Sequence, residues 1–128
     1  MALRLSLTAY LVRDYDEAIA WFTGVLGFVL LEDTPREPGK RWVRVAASRD
    51  ATTALLLARA ANDAQLAHVG RFAGGRVGLF LETDDFAATH ARMLAKGVHF
   101  CEQPRHESYG SVAVFEDLYG NRWDLLGP

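Results

Sequence analysis

Hydrophobic and polar positions along this chain follow two periods, and the periods succeed one another twice in the same order. Leu3 to Val12 reads as a strand. The stretch "DYDEAIAWFTGVLG" follows, with Ala18, Ile19, Phe22, Val25 and Leu26 at helical spacing. Asp14, with Glu17 three residues on, forms a capping box that satisfies the first helix amides. Gly27 stands where a helix end favours glycine. Strands are predicted at Phe28 to Asp33, Trp42 to Ala47 and Thr53 to Ala58. With "GLFLETDD" the order begins again. A strand leads into a second amphipathic helix over Phe86 to Lys96, stopped by Gly97, and strands follow at Val98 to Glu102, Ser111 to Phe115 and Asn121 to Leu126. Val12-Arg13-Asp14-Tyr15 matches Thr83-Asp84-Asp85-Phe86 at an offset of 71.

Two tandem βαβββ modules account for both halves. The first covers about residues 1–58 and the second about 76–128, with 59–75 as a linker inside one domain of 128 residues. Each module covers one sheet face with its helix and leaves the other open. The expected class is therefore α+β, with a curled eight-stranded sheet around a concave cleft. Strand phase assigns the lining. Val43 and Val45 face the core, which turns Trp42 and Arg44 to the cleft. Leu79, Leu81 and Thr83 face a helix, leaving Gly78, Phe80 and Glu82 opposite. Tyr119-Gly120-Asn121 is turn chemistry. After it Trp123 and Leu125 bury, while Arg122, Asp124 and Leu126 share the other face.

Composition removes several functions. Half of the residues are hydrophobic, 23% are charged, and the formal net charge is −2. That balance leaves no basic footprint for nucleic acid or a membrane surface. The single cysteine, Cys101, excludes an internal disulfide. With no leader-like segment and no apolar run near membrane length, a cytoplasmic protein is expected.

Three stretches carry a resemblance: "VRDYDEAIAWFTGVLGF", its copy "ETDDFAATHARMLAKGV", and the closing "VAVFEDLYGNRWDLL". In order and spacing the chain resembles the vicinal oxygen chelate superfamily, which includes glyoxalase I, extradiol dioxygenases and the bleomycin- and fosfomycin-resistance proteins. It is closest to the metal-free members. Metal-using members of that superfamily place ligands on the first and last strand of each module, and a divalent metal there polarises the substrate's vicinal oxygens. Carried onto this chain, those positions fall at Leu7, on a fourth strand without acid, amide or imidazole, at Gly78, and at Asp124. Only Asp124 can ligate, so no metal and no other cofactor is expected.

The remaining histidines and the cysteine are weaker candidates. His90 lies on the apolar stripe of its helix and reads as a packed side chain. His99 reads as a solvated edge-strand residue, and Cys101 as a small buried one. His106 sits in "PRHESYGS", a loop that joins two cleft strands and carries several reactive side chains. Two functions from different classes follow. One is a small-molecule-binding protein of the bleomycin-resistance type, gripping a small organic ligand with Trp42, Arg44, Phe80, Tyr109, Arg122 and Asp124. The other is a lyase, isomerase or dioxygenase in which Asp124, His106 or Glu82 does acid–base work, with or without a metal near Asp124. A third reading makes the cleft vestigial and the role association. Free sheet edges, the unplaced apolar residues Leu66, Val69 and Phe72, and the resemblance itself predict a homodimer.

Overall fold

The computed structural model describes residues 1–128, and the chain divides into two units at Val69–Gly70. The first unit begins with β1 (Leu7–Val12) and α1 (Tyr15–Ala20), which continues as a π-helical turn over Trp21–Val25. Strands β2 (Val29–Glu37), β3 (Lys40–Ala46) and β4 (Ala54–Arg59) follow, then a single helical turn, α2 (Asp63–Leu66). The sheet order is β1-β4-β3-β2, with β1 parallel to β4 and the other pairs antiparallel. This is the βαβββ order expected from the hydrophobic pattern.

Local chemistry explains the start and the last turn of the first helix. The Asp14 side chain accepts the Glu17 amide at 2.8 Å and starts α1. The first helix does not run regularly to Leu26. Thr23 donates its hydroxyl to the Ile19 carbonyl at 2.7 Å, and Gly24 adds backbone freedom, so the last turn widens. On the helix side Ala18, Phe22 and Leu26 are buried, as are Tyr10, Val12, Val43, Val45 and Leu57 of the sheet. Tyr10 and Phe22 meet edge to face at 5.4 Å. Emptying the fully buried Phe22 site by truncation to Ala is worth about 3–5 kcal/mol.

The second unit repeats the plan with one addition. It comprises β5 (Val77–Glu82), α3 (Phe86–Ala95), β6 (His99–Phe100), β7 (Arg105–Glu107), β8 (Gly110–Glu116) and β9 (Arg122–Gly127). The order is β5-β9-β8-β6, with β7 also paired to β8. Asp85 caps α3 by accepting the Ala88 amide at 3.1 Å. Phe86, Met93, Ala113, Phe115, Trp123 and Leu125 are buried, and Phe115 stacks on Trp123 at 5.7 Å. His90 lies between Phe86, at 5.7 Å, and Phe100, at 4.4 Å, so it is the packed residue its spacing predicts.

Three expectations need correction. The segment around His106 is not a loop. Arg105–Glu107 pairs with Gly110–Val112 across the two-residue turn Ser108–Tyr109, and Gly110 takes φ +132° to close it. The strand expected over Val98 to Glu102 shortens to His99–Phe100, so the edge is shared between β6 and β7. Cys101 is exposed rather than buried, because it follows that short edge strand and α3 does not cover it.

Candidate functional site

Asp124 is the polar centre of the second unit's open face. Its neighbours Trp123 and Leu125 point to the helix side and are buried, so alternation turns Asp124 the other way. Pairing places Phe80 on one side of Asp124 and Val114 on the other. The next row along the same face runs Glu82, Leu126, Val112, Arg105, and the row before it runs Val77, Arg122, Glu116, His99. Phe80 leaves 63% of its surface exposed at this face. A large apolar side chain is here kept in water beside a half-buried carboxylate.

The Asp124 carboxylate is incompletely satisfied. Its Oδ1 is buried and accepts no hydrogen bond. Desolvation raises its pKa above the ordinary aspartate value, opposed by the positive charge of Arg105 and reinforced by Glu102. Arg105 is itself engaged. Its Nε donates to Glu102 Oε1 at 2.8 Å, and that bond holds the Glu102 carboxyl below its usual range. Glu102 and Arg105 were not among the sequence candidates. Their i,i+3 spacing resembles any solvated turn, and only the β7–β8 pairing brings Arg105 into Asp124's field.

The other sequence candidates are distributed unevenly. Glu82 and Arg122 lie on the Asp124 face and are exposed. Tyr109 stands at the hairpin tip, 64% exposed. His106 pairs with Ser111, which pairs with Gly127, so it belongs to the face opposite Asp124. Its Nδ1 lies 2.8 Å from Ser111 Oγ. The hairpin thus separates His106 from Asp124 instead of bringing the two together. Cys101 is no activated nucleophile, because desolvation and then the Glu116 carboxylate push its thiol pKa up.

In the first unit, Val43 and Val45 are fully buried and Trp42 and Arg44 are half-buried on the opposite face, as the alternation of β3 predicts. Trp42 borders two hollows. One, of about 500 Å³, is lined by Tyr15, Lys40, Arg41 and Ala58, and the other, of about 270 Å³, by Leu7, Leu31, Glu32 and Arg44. The Arg36 guanidinium lies 5.4 Å from the Trp42 ring centroid. Arg44 is not a free cation. Its Nε donates to Glu32 Oε1 at 3.0 Å and helps hold the Glu32 carboxyl below its usual range.

The residues at the positions that the resemblance assigns to metal ligands do not suit a divalent cation. Leu7 has no donor, and β4 reads Ala-Leu-Leu-Leu-Ala-Arg. At Gly78 the space for a side chain is already filled. A Cβ there would stand 2.6 Å from Ala73 Cβ and 3.0 Å from the Phe72 ring. A register shift between Val77 and Leu79 marks the same place. Asp124 alone remains, and one carboxylate does not make a site.

Comparison with known proteins gives the family. The model of the Glyoxalase/Bleomycin resistance protein/Dioxygenase superfamily matches residues 4–125, and the chain belongs to that superfamily. An uncharacterized protein of Shewanella frigidimarina is 51% identical over 119 residues, 92% of this chain and 88% of that protein. Among solved structures, TnmS3, an antibiotic binding protein from Streptomyces sp. CB03234, is 32% identical. The match covers 100% of this chain and 98% of TnmS3, with a TM-score of 0.81. UcmS2 is 28% identical over 98% of both chains, with a TM-score of 0.84.

Proposed function

We propose that this protein binds a small organic molecule without a metal at the superfamily's cleft positions, and that Asp124 is the polar anchor of the ligand. The observation that carries this reading is the Asp124 Oδ1 atom, buried and unpaired beside the exposed ring of Phe80. A carboxylate held in that state by its own fold is prepared for a donor it does not yet have. The complementary ligand is a hydrogen-bond donor or cation carried on a flat apolar body. Likeness to an antibiotic binding protein supports the same class of ligand.

In this reading Trp42, Arg44, Phe80, Tyr109 and Arg122 make up the rest of the binding surface. The single curled sheet and concave cleft expected from the repeat, and one domain built from both modules, belong to the proposal too. So does a homodimer using Leu66, Val69 and Phe72, of which Leu66 and Phe72 are 48% and 37% exposed. A cytoplasmic location completes it; no helix is long and apolar enough to cross a membrane. The enzyme reading is less well supported, since His106 lies on the other sheet face and Asp124 lacks a second acid–base group in hydrogen-bond contact.

Titration with bleomycin and with the planar cationic dye proflavine, in the presence of EDTA, tests this reading through tryptophan fluorescence and thermal shift. Saturable one-to-one binding that Asp124→Asn weakens by about tenfold or more is the expected result. Binding that appears only after a divalent metal is restored would refute it. Light scattering at micromolar concentration tests the dimer, and a mass fixed at 14.2 kDa contradicts it.

A further inference from the structure

The open face of the second sheet ends, at the edge away from β5, in three side chains that ligate metals. His99 and Cys101 are two residues apart, so alternation puts both on one face. Glu116 is the direct cross-strand partner of His99. His99 Nε2 and Glu116 Oε1 lie 3.5 Å apart, and the ligand atoms of all three residues lie within 4.8 Å of one another. We propose that His99, Cys101 and Glu116 bind a zinc-class divalent cation, at a site separate from Leu7, Gly78 and Asp124.

The donor set selects the ion. One thiolate, one imidazole and one carboxylate are ligands that zinc accepts together, whereas magnesium and calcium take oxygen almost alone. Bonds of about 2.0–2.3 Å in a tetrahedron put neighbouring donors roughly 3.4 Å apart. A pair at the full 4.8 Å must therefore close by about 1.4 Å to reach that edge. His99 can supply the movement, its side chain being 70% exposed, while the Glu116 side chain is 32% exposed and more fixed.

The backbone holds the donors in place. The Cys101 amide donates to the Val114 carbonyl at 2.8 Å, which extends the β6–β8 pairing one residue past the strand. On the other side of the cluster, Arg122 of β9 pairs with Glu116 and is the one cation facing the site from that strand. Glu102, next along the chain, is committed to Arg105. Three protein ligands leave one tetrahedral position for water. A bound ion would also clip the two-residue β6 to the longer β8.

The test uses tag-free full-length protein stripped with EDTA and kept reduced by a phosphine. Zinc is titrated in competition with a chromophoric chelator, and cobalt is added separately as a spectroscopic probe. One zinc per chain is expected. Cys101→Ser, His99→Ala and Glu116→Gln should each weaken it by about tenfold or more, and Asp124→Asn should leave it unchanged. Cobalt should give a thiolate charge-transfer band in the near ultraviolet that Cys101→Ser removes. Zinc should raise the melting temperature of the parent protein and not that of Cys101→Ser. Absence of stoichiometric binding, full retention in Cys101→Ser, or loss in Asp124→Asn would each overturn the proposal. Failure here leaves the ligand-binding reading intact, because that reading is measured in EDTA.

Discussion

Replacing Asp124 by Asn should stabilise the protein while weakening ligand binding. Burial raises the Asp124 pKa, so ionising the carboxylate is harder in the folded state than in the unfolded one. The charge therefore opposes folding at pH 7. As the pH falls through the raised folded value, the folded state takes up a proton before the unfolded one and the penalty disappears. A buried polar atom without a partner costs about 1–3 kcal/mol. Asp124 is only half-buried and Asn keeps a polar atom in place, so the expected gain is at the low end, about 1 kcal/mol. Unfolding entropy of about 2.1 cal/mol/K per residue over 128 residues converts this to a rise in Tm of about 4 °C. Thermal melts of both proteins at about pH 7 and at about pH 4 measure it. The gain should be largest at the higher pH and shrink at the lower. A loss of stability in Asp124→Asn would require a partner for Asp124 that the fold does not supply, and a gain of equal size at both pH values would show that ionisation is not its source; either would refute the reasoning.

Other predictions rest on separate features. Asp117 is 6% exposed, and its carboxylate accepts the Tyr119 and Asn121 amides at 3.0 Å each and Trp123 Nε1 at 2.9 Å. Asp117→Ala should lower stability by about 3 kcal/mol in urea unfolding, because three donors lose their acceptor at once; a loss below about 1 kcal/mol would show the turn holds without it. Gly110→Ala should cost about 2 kcal/mol or more, since the φ of +132° is strained for alanine and the new Cβ would stand 2.7 Å from the Gly127 carbonyl oxygen. A melt unchanged within 2 °C argues against that close approach. Trp42→Ala should weaken proflavine binding without lowering Tm by more than a few degrees, as Trp42 lies on the half-buried face of β3. Unaltered affinity would remove Trp42 from the binding surface.

The helices and most strands were legible because their signals are local. Asp14 and Asp85 cap helices as their sequence context indicates, and Gly27 and Gly97 take the positive φ of helix ends, at +81° and +85°. The alternation of Val43 and Val45, and of Trp123 and Leu125, gave the buried faces directly. The β7–β8 hairpin was not legible. Arg-His-Glu is polar on both faces, so period-2 alternation leaves no trace, and the pairing depends on Gly110. That one omission put His106 with Asp124 and hid Glu102 and Arg105. The register shift at Gly78 and the exposure of Cys101 have the same origin, since both depend on which chain segment lies alongside. Asp124 could be singled out from its position in a strand, but its unpaired oxygen is a property of the assembled sheet.

The most direct test of metal-free binding through Asp124 is calorimetric titration of EDTA-treated protein and its Asp124→Asn variant with proflavine, bleomycin and a neutral aromatic of similar size to the dye. The account predicts saturable binding of at least one cationic probe at one site per chain, weaker binding of the neutral aromatic, and loss of that preference in Asp124→Asn. Equal binding of charged and neutral probes by both proteins, or no binding of any probe until a divalent metal is added, would contradict it.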